Sequence, residues 1–141
     1  MNRSLVRIAL STAIVLVLAV APTALAGKGK PGGASGGGGT LGLVLLNSSD
    51  GLPHYGQQVT FNVSTTATDK PFVKLNCYQA GVHVYWASAG FFEGYPWPWT
   101  RNFTLRSSYW TGGAADCVAT LYLYDGRRYK DLTSLSFHVW A

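Results

Sequence analysis

Beyond the first 26 residues, apolar and polar positions alternate in short runs, and no stretch keeps a helical period. Gly, Asn, Asp, Ser and Pro punctuate the runs, which is the mark of an all-β chain. Seven strands are predicted. The first two are Leu41–Leu46 and Gln58–Thr65, the second with Val59, Phe61 and Val63 on one face. The third, Phe72–Gln79, turns Val73, Leu75 and Cys77 inward, and the fourth, Val82–Ser88, turns Val82, Val84 and Trp86 inward. Arg101–Arg106 buries Phe103 and Leu105, Asp116–Tyr124 buries Cys117, Ala119, Leu121 and Leu123, and Leu132–Trp140 buries Leu135, Phe137 and Val139. Asp50-Gly51, Ala80-Gly81 and Asp125-Gly126 fall between runs, where a tight reversal needs positive φ. Short strands at this spacing predict a seven-stranded immunoglobulin-like or fibronectin III-like β-sandwich.

The cysteines test that arrangement. The chain has two, Cys77 and Cys117, both on inward faces of separate strands, and they are expected to form a disulfide closing a loop of 40 residues. By chain entropy such a bond stabilises the fold by roughly 4 kcal/mol. Two runs precede Cys77, which favours a bridge between the third and sixth strands of one sheet. The alternative takes the Cys77 run as the second strand and Trp86 as the tryptophan of the third, the antibody-type arrangement.

The N-terminus says where such a bond would form. Arg3 and Arg7 precede an apolar run from Ile8 to Val20, and Ala24-Leu25-Ala26 closes the segment. Basic start, apolar middle and small-residue end are the order of a secretory signal peptide. The run is shorter than the roughly 20 apolar residues of a spanning helix. Residues 1–26 are therefore expected to be removed, leaving a secreted, extracellular protein with no membrane span in a disulfide-permissive compartment. Residues 27–40, GKGKPGGASGGGGT, hold no large apolar residue and are expected to be a flexible arm. Residues 41–141 form the domain.

The stretch Trp110-Thr111-Gly112-Gly113-Ala114-Ala115-Asp116-Cys117-Val118-Ala119-Thr120-Leu121-Tyr122 resembles the small-residue-plus-Cys strand of small secreted immunoglobulin-like proteins of actinobacteria. Gln57-Gln58-Val59-Thr60-Phe61 is similar to the start of an early strand in the same proteins. The resemblance covers residues 59–139 and implies a secreted sandwich; it carries no activity.

Charge narrows the partners. The net charge is +5, but Arg3, Arg7, Lys28 and Lys30 lie outside the domain. Within it, seven cations face six acids, too even for the dense basic face that nucleic acid requires. No acids pair for general acid/base work, and His54, His83 and His138 lack metal-ligand spacing. No nucleophile elbow or phosphate loop occurs. Neither catalysis nor a metal or other cofactor is expected. Asn47, Asn62 and Asn102 head Asn-x-Ser/Thr sequons, which matter only in a glycosylating host.

Three features invite a ligand. If the third, fourth, sixth and seventh strands share a sheet, its outer face presents Asn76, Tyr78, His83, Tyr85, Tyr122, Tyr124, His138 and Trp140. Water-facing strands usually carry Thr, Ser, Lys and Glu. Rigid rings with polar tips suit binding and stack on sugars, though aromatic pairs also stabilise sheets unaided. Phe91-Phe92-Glu93-Gly94-Tyr95-Pro96-Trp97-Pro98-Trp99 is expected to be a crossover loop, because its prolines prevent inner-strand pairing. Tyr95, Trp97 and Trp99 either grip a ligand there or cap the sandwich. Arg127-Arg128-Tyr129-Lys130 marks a basic hairpin tip. The expected function is passive recognition of an extracellular glycan or protein through Tyr78, Tyr85, Tyr122, Tyr124 and Trp140, helped by Tyr95, Trp97 and Trp99. The alternatives are a subunit that associates with copies of itself and a small-molecule carrier with a cavity between its sheets.

Overall fold

A computed structural model describes residues 33–36, 38–90 and 102–141. Eight strands form two antiparallel sheets, and no helix occurs among the described residues. In chain order they are β1 (Gly33–Gly36), β2 (Gly39–Leu45), β3 (Gln58–Ser64), β4 (Phe72–Gln79), β5 (Val82–Gly90), β6 (Phe103–Thr104), β7 (Ala115–Tyr124) and β8 (Tyr129–Val139). One sheet has the order β1-β2-β3-β6 and the other β5-β4-β7-β8. β2 to β8 are the seven predicted strands in an immunoglobulin-like, fibronectin III-like β-sandwich. β1 is an addition at the sheet edge.

The core follows the alternation. Leu41, Val59, Phe61, Val73, Leu75, Leu121 and Val139 are almost wholly buried between the sheets. Phe61 meets Phe103 edge-on, with centroids 5.5 Å apart. Cys77 and Cys117 sit opposite each other in the β4–β7 register and form the disulfide, their Cα atoms 4.1 Å apart. The bridge thus lies within one sheet, unlike the antibody-type bridge between sheets.

Two bulges set which side chains face out. The β4–β5 register shifts between Cys77 and Tyr78, so that Cys77 faces Tyr85 while Tyr78 faces His83, and Val84 is the extra residue. An extra residue reverses every later side chain. Val84 is buried as expected, but Tyr85, Ala87 and Ala89 then pack against the core, while Trp86 is 65% exposed. The readings of Tyr85 as outward and Val82 and Trp86 as inward are corrected accordingly; Val82 lies beside the turn and is exposed. A second shift, between Leu121 and Tyr122, makes Leu132 the extra residue of β8. It lets β8 begin at Tyr129, so Tyr129–Asp131 belong to the strand rather than to the hairpin tip.

Four residues of the expected arm form an edge strand. Gly33–Gly36 pairs with residues 39–42 of β2. A glycine-rich segment with no side chain to bury can still pair this way, because an exposed sheet edge recruits a strand through main-chain hydrogen bonds alone.

An unexpected tryptophan closes one end of the sandwich. Trp110, from the β6–β7 connection, is 2% exposed and donates its indole N–H to the Gly113 carbonyl at 3.1 Å. Tyr55 meets it edge-on and donates its hydroxyl to the Trp110 carbonyl. The Phe91–Trp99 loop, with Tyr95, Trp97 and Trp99, lies outside the described residues.

Candidate binding face

The register of β5-β4-β7-β8 lays out the outer face in rows. One end carries Phe72, Tyr122, Tyr124 and Tyr129. Phe72 stacks on Tyr122 with centroids 5.4 Å apart, and Tyr129 contacts Tyr122 at 5.6 Å and Tyr124 at 5.1 Å. The Phe72 ring lies over Gly90, where a Cβ would fall 2.2 Å from it. Tyr122 shares a hydrogen bond of 2.7 Å with the Ser88 hydroxyl. Lys74 holds its ammonium 5.4 Å from the Tyr122 ring centroid while pairing with Asp131 at 2.8 Å. Tyr124 and Tyr129 are exposed.

The other end carries Tyr78, His83, His138 and Trp140. Tyr78 packs on His83 at 5.0 Å, and His83 bonds Asn76 through Nε2 at 3.0 Å. His138 bonds Asp116 through Nδ1 at 2.7 Å and meets Trp140 edge-on at 4.8 Å. Between the ends lie Val118, Ser134, Ser136 and Thr120, whose hydroxyl bonds that of Ser134. Tyr122 and Asp116 mark the two ends on β7, about 20 Å apart at the strand rise. The expected continuous plate is therefore an aromatic cluster at each end, with Lys74, Asn76, Val118, Thr120 and the two serines between them and Trp86 in register with Asn76 at the β5 edge.

Of the predicted residues, Tyr122 and Tyr124 join one cluster, and Tyr78 and Trp140 the other. Tyr85 joins neither. Its ring faces Trp110 at 6.2 Å, and burial pushes its phenol pKa above the usual range. Two exposed aromatic residues escaped the sequence reading. Trp86 was hidden by the bulge. Tyr109, 80% exposed, sits in a connection with no period to read. They share a surface cleft of about 400 Å³, floored by Val84 and Ser107, between β5 and residues 107–109. The Ser107 hydroxyl donates to the Val84 carbonyl, tying that connection to the β5 edge.

Away from this face, His54 donates to Asp50 at 2.8 Å from Nε2 and to the Ala141 carbonyl at 3.0 Å from Nδ1. Only an imidazolium donates from both nitrogens. The Ala141 carbonyl and then Asp50 raise the His54 pKa above 6.5, while chiefly the His54 bond lowers that of Asp50 to about 2. Among the described residues no three His, Cys, Asp or Glu side chains gather to hold a metal ion, and no helix is long and apolar enough to cross a membrane. Comparison with known proteins returns no matching family model, no matching curated protein and no matching solved structure.

Proposed function

We propose that this chain is an exported, non-catalytic binding module that recognises an extracellular glycan through the outer face of β5-β4-β7-β8. One observation carries the reading: this face exposes aromatic rings at both ends, with Tyr124 52%, Tyr129 70% and Trp140 47% exposed, where a solvated sheet would carry small or charged side chains. Rings with hydroxyl or imidazole edges stack on sugar faces and bond sugar hydroxyls, with few rotors to order. About 20 Å separates the two clusters along β7, a span that suits an extended chain rather than a single ring.

A second reading is self-association. β5 is a sheet edge bearing exposed Val82 and Trp86, and an unprotected edge invites pairing. Light scattering combined with a glycan-array screen separates the two. For a monomeric parent, Tyr124→Ser/Tyr129→Ser should abolish array binding without changing mass or melting temperature. A dimer that Val82→Lys/Trp86→Lys makes monomeric, with no array signal from either form, would replace the glycan reading with the subunit one.

A further inference from the structure

The β7–β8 end of the face carries charge as well as rings. Asp125 opens the tip and is spent on its geometry: Oδ1 accepts the backbone N–H groups of Arg127 and Arg128, both at 2.9 Å. Those bonds hold its carboxyl below the usual range. Asp131 is held by Lys74. Arg127 has no acidic partner among the described residues, and Arg128 reaches Asp125 only at 3.7 Å with its side chain 81% exposed. Lys130 is also exposed. Two guanidinium groups thus sit at the tip between the strand ends that carry the exposed rings of Tyr124 and Tyr129, while Lys130, in register with the buried Leu123, faces the other side of the sheet.

We propose that this end of the face binds an anionic polysaccharide, its sugar rings stacked on Tyr124 and Tyr129 and its carboxylate or sulfate groups held by Arg127 and Arg128. The inference rests on the glycan reading above and adds the ligand's charge. Guanidinium matches such anions with paired donors, and charge complementarity selects the occupant. Tip residues 125–128 bring no apolar side chain to enter a bilayer. The cations gather at one tip of an otherwise balanced domain rather than along the continuous basic groove of a single-strand binder.

The test is affinity electrophoresis of the full chain through polygalacturonate, with neutral dextran, phosphatidylglycerol vesicles and oligothymidylate as comparisons. Polygalacturonate should retard the parent, and salt should weaken the effect. Arg127→Gln/Arg128→Gln should lose at least tenfold in affinity. Tyr124→Ser/Tyr129→Ser should lose as much with its charge unchanged. Arg128→Gln alone should lose about threefold, whereas Arg106→Gln, which removes the same charge at the opposite end of the sandwich, should match the parent. Melting temperatures show that each variant folds. The proposal is overturned if polygalacturonate leaves the parent unretarded, if Arg106→Gln weakens binding as much as Arg128→Gln, or if vesicles or oligothymidylate bind more tightly. Loss of a neutral glycan in the tyrosine variant, with the tip arginines dispensable, overturns the charge assignment and leaves the glycan reading standing. Binding indifferent to both sets overturns both.

Discussion

Ala80 is the one non-glycine with positive φ among the described residues, at 47°, and Gly81 follows at 81°. Gln79 pairs directly with Val82, so these two residues make the whole turn, and positive φ at both is the type I′ geometry. An L-residue with a Cβ resists that conformation by about 1–2 kcal/mol, which asparagine relieves. Ala80→Asn should raise stability by about 0.5–1 kcal/mol and the melting temperature by a few degrees; an unchanged or lower melting temperature would place the turn's strain elsewhere. His54 gives a second residue-scale prediction. Its raised pKa adds stability below pH 6.5 that is lost as pH rises through the folded value. The lowered pKa of Asp50 adds stability above 3.8 that is lost as pH falls toward about 2. The His54 bonds are thus strongest between those two ordinary values, and exposure leaves them open to screening by salt. Thermal melts from pH 6 to 8 should show a decline that His54→Asn lacks and salt flattens.

At the scale of the element, the sequence showed what periodicity can show. Each predicted strand corresponds to an observed one, because in a two-layer sandwich alternation directly encodes which side meets the core. The bulges were not legible. One extra residue at Val84 leaves composition and turn signals unchanged yet exchanges the roles of Tyr85 and Trp86. Trp110 was illegible for a different reason: it caps the core from a connection, where no period exists to mark it as buried. The bulge is testable by urea unfolding. Tyr85→Ser should destabilise by about 2 kcal/mol, since it removes a ring packed on the core, while Trp86→Ser should stay within about 0.5 kcal/mol. The opposite ranking would return Trp86 to the interior.

At the scale of the whole molecule, the sheet order β5-β4-β7-β8 brings together side chains far apart in the chain: Phe72 beside Tyr122, and Tyr78 in register with Asp116. The tyrosines were legible as candidates once the strands were assigned, but their division into two clusters depends on the register. The disulfide fixes that register near its Tyr78 end by holding Cys77 opposite Cys117. The most direct test of the binding face is an amide chemical-shift map of the isotope-labelled chain, titrated with short oligosaccharides, neutral and acidic. The largest shifts should fall on outward positions of β4, β7 and β8, with Tyr78, Tyr122, Tyr124 and Tyr129 among them. Shifts centred on β1-β2-β3-β6, or none with any member of the series, would contradict the assignment of this face to glycan recognition.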